Sequence, residues 1–180
     1  MRATGIIRRI DELGRIVIPK EIRKTFKIRE GTPLEIFCGD ECELILKKYS
    51  VMLEIKDYAN DVAYSISTCL NLPCLITDKD KVVSVCGTQK NYYIDKVLTE
   101  NLIRQIETRN LILRNKKDND IMFKLFENDE TEYASFAIMP VMQNGDTFGS
   151  IIVFSNEKKL TEVEAKVLQT MANFLSQQIA

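Results

Sequence analysis

The chain has 180 residues, 45% of them hydrophobic and 28% charged, which fits a folded protein made of one medium domain or of a small one followed by a medium one. There is no histidine, so the commonest acid/base and metal-ligating side chain is missing, and no apolar run approaches the roughly 18 residues of a membrane-spanning helix. The net charge of −1 conceals an asymmetry: residues 1–29 carry nine Lys or Arg against three acids, a net +6, leaving −7 for the rest. A basic end of this kind places a local positive field over a polyanion.

In chain order, "TGIIRRID" (residues 4–11) has the β-branched content of a strand. "ELG" makes a turn with Gly14 free to take positive φ, and "RIVI" (15–18) reads as a second short strand. Pro19 suits a helix start, and "PKEIRKTF" follows as about two helical turns, with Ile22 and Phe26 marking the buried side and Gly31 as the stop. "LEIF" and "ELILKKY" then pair across "CGDEC". Fifty residues of this kind cannot bury their own apolar faces, because neighbours such as Ile6 and Ile7, or Val17 and Ile18, point to opposite sides of a strand. The expected cover is a second copy of the chain, hence a homodimer through residues 1–50.

Together, "TGIIRRIDELGRIVIPKEIRK", "IREGTPLEIF" and "LILKKYS" resemble the N-terminal DNA-binding domain of the AbrB-type transition-state regulators, a swapped-hairpin dimer. The resemblance implies double-stranded DNA as partner, AT-rich promoter regions in particular, and places the DNA-contacting residues at Arg8, Arg9, Arg15, Arg23 and Lys24. Arginine can pair bidentately with guanine edges or phosphates, which makes Arg8, Arg15 and Arg23 candidates for base readout and leaves Lys24 as a backbone contact. Strand periodicity sets Arg8 and Arg9 on opposite faces, and how both would reach one duplex stays open.

Beyond residue 50, "SVMLEIKDYANDVAYSISTCLNL" reads as a helix capped by Ser50. Its spacing Ile55, Ala59, Val62, Ile66, Cys69 fits either a paired linker helix over 51–72 or one face packed on the domain that follows. "CLITD" and "VVSVCG" form a hairpin, and "NYYIDKVLTENLIRQIETR" reads as one helix with Ile94, Leu98, Leu102 and Ile106 on its face. "NKKDNDIMFKLFENDETE" is a long polar loop with one short element. "YASFAIMPVM" and "TFGSIIVF" join through an Asn-Gly turn, and the last helix starts at Thr161 with Glu164 completing a capping box.

This order over 73–180 resembles a GAF-like sensor domain, and the whole chain resembles the stage V sporulation protein T family. The expected fold is therefore α+β: a small swapped-hairpin β domain joined by a helix to an α/β GAF-like domain. The resemblance implies a cytoplasmic regulator of sporulation genes in the developing spore, both activator and repressor, tetrameric through its C-terminal domain, with an unidentified small molecule or partner sensed there. By analogy with the fold, a ligand would sit between the sheet and "NKKDNDIMF".

No phosphate-binding glycine loop or nucleophile motif is present, and neither Cys38 and Cys42 nor Cys69 and Cys74 have zinc-finger spacing. The expectation is no enzyme, no metal, no cofactor, and thiols that are buried and inert, with Cys86 beside Gly87 the one redox candidate. The alternative reading is an antitoxin-like swapped-hairpin module with a protein partner.

Overall fold

The computed structural model describes residues 5–179, which fall into two units, the first ending at Tyr49 and the second starting at Ser50. In the first, Asp11 and Arg15 close a turn: the Asp11 amide donates to the Arg15 carbonyl at 3.0 Å and the Gly14 amide to the Asp11 carbonyl at 3.0 Å, with Gly14 at φ +76°. The two segments expected as strands on either side form none among the described residues, and residue 4 lies outside them. A strand is defined by its ladder to a neighbour, and residues 5–18 take part in no strand pairing among the described residues.

Helix α1 (Lys20–Thr25) starts behind Pro19 at φ −57°. It stops well before Gly31, because Lys27 takes φ +51° and the Ile28 and Lys27 amides turn back to the Arg23 and Lys24 carbonyls at 2.8 and 3.2 Å. This is the double closure of a Schellman motif with lysine in the place usually held by glycine. Ile22 is half-buried on α1, whereas Phe26 is exposed. Strands β1 (Leu34–Cys38) and β2 (Leu44–Lys48) pair antiparallel as expected, around a short 3-10 turn over 40–42.

The second unit is a three-layer sandwich. Strands β3 (Cys74–Thr77), β4 (Val82–Cys86), β5 (Ile112–Asn115), β6 (Ser135–Gln143) and β7 (Asp146–Ser155) form one antiparallel sheet in the order β4-β3-β7-β6-β5. Alternate residues serve opposite faces. Cys74, Ile76, Ala137, Met139, Ile151 and Val153 pack under helices α3 (Lys56–Leu70) and α6 (Glu162–Gln177). Leu75, Phe136, Ile138, Ile152 and Phe154 pack under α5 (Glu100–Glu107) and the residues around it. With both faces covered the strands read as continuous apolar runs. The β6–β7 turn has Asn144 and Gly145 at φ +51° and +85°, the primed geometry that Asn-Gly favours.

Of the two readings of residues 51–72, a linker helix or a face packed on the domain that follows, the structure has the second: they belong to the second unit. They break at Ile55 into α2 (Val51–Glu54) and α3, whose Ala59, Val62, Ala63 and Ile66 are buried in the core of that unit. Ser50 stands at the helix start, but its hydroxyl donates to Asp78 Oδ2 at 3.1 Å instead of capping. The helix expected over 91–109 is also broken. A short α4 (Lys90–Tyr93) ends where Asp95 takes φ +61°, and Thr99 caps α5 by accepting from the Leu102 amide at 3.2 Å. Strand β5, at the sheet edge, was not expected. At α6 the capping box of Thr161 and Glu164 is present.

Candidate nucleic-acid interface

Arg8, Arg9, Arg15, Arg23 and Lys24 all lie in the first unit and all are exposed. Arg8 and Arg9 precede the turn, Arg15 follows it, and Arg23 and Lys24 stand in the last turn of α1. Arg8 Nη1 donates to the Ile7 carbonyl at 3.2 Å, and among the described residues Arg15 has a side-chain partner: its Nε donates to Asp11 Oδ2 at 2.8 Å. Asp11 Oδ1 also accepts from the amides of Arg15 at 2.8 Å and Leu13 at 3.0 Å. These bonds, led by the Arg15 amide and then the Arg15 side chain, hold the Asp11 carboxyl below its ordinary value. Asp11 thus aims Arg15, whose two terminal nitrogens remain for a bidentate contact. From the sequence alone Asp11 is one of the three acids of the basic end. Its signal was a short polar side chain opening a turn that ends in glycine, the position where Asp bonds amides a few residues on.

In the second unit, a cluster of polar side chains gathers around Asp129, which the sequence did not single out. Asp129 is 3% exposed. It accepts from Tyr92 Oη at 3.0 Å, Lys96 Nζ at 3.2 Å, the Thr131 hydroxyl at 2.8 Å and the hydroxyl of Tyr133. Lys96 Nζ also lies 3.4 Å from the centroid of the Tyr92 ring. Burial pushes the Asp129 carboxyl up, but the bonds from Tyr133, Thr131 and Lys96 outweigh it and leave it below its usual range. Burial, then the bond to Asp129, raises the Tyr133 hydroxyl.

The sheet face beneath the polar loop is filled by Tyr93, Phe126, Tyr133, Phe136 and Phe154, with Met122 and Phe123 packed against them. What remains is an open cleft of about 220 Å³ lined by Lys116, Met122, Phe123, Lys124, Thr131, Glu132 and Tyr133. Of the five thiols, Cys38, Cys42 and Cys69 are exposed and Cys86 is half-buried, so the expectation of buried thiols holds for Cys74 alone. Among the described residues there is no group of three or more His, Cys, Asp or Glu able to hold a metal ion, and no helix long and apolar enough to cross a membrane.

Comparison with known proteins assigns both units. Residues 7–52 match the family model of the antidote-toxin recognition MazE bacterial antitoxins, and residues 54–180 match that of the stage V sporulation protein T C-terminal domain, a transcription factor. The transition state regulatory protein AbrB of Bacillus subtilis is 57% identical over 49 residues, 27% of this chain and 50% of that protein. The GAF domain of an Acinetobacter phosphoenolpyruvate-protein phosphotransferase superposes with a TM-score of 0.58 at 16% identity, over 74% of this chain and 84% of that one, which establishes a GAF-like fold. Stage V sporulation protein T of Bacillus subtilis is 41% identical over 179 residues, 99% of both chains. An AbrB-like DNA-binding head, a GAF-like body and this end-to-end identity place the chain in the stage V sporulation protein T family of transcription factors.

Proposed function

We propose that this transcription factor reads AT-rich promoter DNA as a homodimer of its first unit, with Arg8, Arg9, Arg15, Arg23 and Lys24 on the duplex. The second unit joins dimers into tetramers and takes up a ligand or partner, and the protein acts by binding, without a reaction of its own, in the cytoplasm of the developing spore. The observation that carries the dimer is that none of residues 5–40 and 42–49 is buried. Ile7, Val17 and Leu44 are 87%, 71% and 72% exposed, alongside Ile10, Leu13, Ile16 and Ile36. A segment without a core cannot offset its own chain entropy, so its apolar side chains call for a second copy. Val163 and Phe174 on α6 and Tyr58 and Tyr64 on α3 are exposed in the same way and support pairing of the second units.

The match to the antitoxin model favours a second reading, in which a protein partner takes the place of DNA. Such partners are commonly wrapped by a disordered segment. Against that reading, α6 is capped and packed into the core through Ala165, Leu168, Ala172 and Leu175. Sedimentation velocity on the full chain tests the assembly. We expect species of about two and four times the 20.7 kDa chain mass across micromolar concentrations. A folded monomer as the only species there contradicts it.

A further inference from the structure

We infer that Cys74 and Cys86 form a dithiol–disulfide couple within one chain, making the edge hairpin of the second unit a thiol-redox site. The two are direct cross-strand partners in the β3–β4 register. Facing residues of an antiparallel pair point to the same side, and here both side chains lie against the core under α3 and α6. Cα atoms of such partners stand roughly 4.5–5.5 Å apart, inside the window of about 4.4–6.8 Å that a disulfide spans. The other thiols are not placed this way: Cys38 faces Leu44 across its hairpin, and Cys69 is exposed near the end of α3.

The two sulfurs have different roles. Cys86 is half-buried on the edge strand and is the point of entry, whereas Cys74 is buried between β4 and β7. Burial, with the neighbouring Cys86 charge, pushes the Cys74 thiol well above its ordinary value, so it reacts with a sulfur already beside it and not with a reagent from solution. With a low-molecular-weight disulfide as oxidant, the Cys86 thiolate attacks one sulfur, forming a mixed disulfide and releasing one thiolate. Cys74 then gives up its proton, attacks the Cys86 sulfur and releases the second. Two protein thiols have lost two electrons and two protons, and the oxidant has become two thiols. The new bond ties edge strand β4 to β3 next to Gly87. A Cβ there would stand 2.1 Å from Ser67 Oγ and 3.0 Å from the Leu72 carbonyl, so the strand end is already held against α3 and has little room to splay.

The test uses the folded full chain, incubated with oxidised glutathione, blocked with N-ethylmaleimide and mapped by trypsin and mass spectrometry. The expected product is peptide 57–79 joined to peptide 82–90, in the wild type and equally in Cys69→Ser, which leaves Cys74 as the only thiol in the first peptide. In Cys74→Ser, Cys86 is expected to stop at the glutathione adduct. If that variant does not fold, the first two maps decide alone. Cys86 left as the glutathione adduct in Cys69→Ser, or a linked peptide that disappears with Cys69, overturns the inference.

Discussion

Replacing Arg15 and Arg23 together by alanine is expected to weaken binding to AT-rich promoter duplex by about 30-fold to 20,000-fold. Each specific arginine contact is worth about 1–3 kcal/mol, so two lost from each protomer remove about 2–6 kcal/mol before any doubling by the dimer. Both side chains are exposed, and neither substitution opens a cavity. Arg15 has the stronger case of the two, because the Asp11 carboxylate fixes its Nε and so reduces the entropy lost on docking its fork. Lys20→Ala with Lys27→Ala is the charge-matched control. These residues carry the same charge on or beside α1 but form no part of the AbrB-like contact set, so several-fold weakening is expected. Binding measured by fluorescence anisotropy at one fixed salt concentration separates the two cases, and equal losses in both pairs would reduce the site to charge alone.

Asp129→Ala is expected to destabilise the second unit by about 3–5 kcal/mol, the cost of leaving a buried charge without its partner. The carboxylate gathers donors from Tyr92, Lys96, Thr131 and Tyr133, two of which are 37 and 33 residues away in sequence, so one truncation strands several groups. Urea unfolding followed by circular dichroism measures the loss. Its pH dependence has a defined sign. A carboxyl held below its unfolded value stabilises fully above that value, about 4, and loses the contribution as pH falls through the lower folded one. The gap between wild type and Asp129→Ala is therefore constant near neutrality and shrinks in acid. A deficit under 1 kcal/mol at pH 7 would mean that Asp129 does not hold the loop.

Local chemistry made much of the second unit legible. Asn144-Gly145 defines a hairpin wherever it occurs between strands, and Thr161 with Glu164 satisfies the first amides of α6 without help from elsewhere. Spacing misled where a break was also local but weaker. Ile94, Leu98, Leu102 and Ile106 keep a helical interval, yet Asp95 turns the backbone and Thr99 restarts it, and Leu98 is buried through a bridge to Phe126 instead of along a helix face. The β-branched content of residues 5–18 was visible, but these residues form no strand within the described unit, and under the proposed dimer their pairing would depend on a second copy. Asp129 was illegible for a related reason. In "ENDETE" it reads as one more solvated charge, and only the fold carries Tyr92 and Lys96 to it.

Of the proposed DNA-binding surface, the AbrB-like resemblance supplied the basic residues, and the turn geometry added Asp11 as the group that holds Arg15. A surface of this type works by displacing counterions from phosphates, and the most direct measurement of it is the salt dependence of affinity. For six to eight phosphates neutralised per dimer, log affinity of the wild-type chain for promoter duplex is expected to fall against log salt concentration with a slope of roughly −5 to −7. A slope near zero would contradict the account.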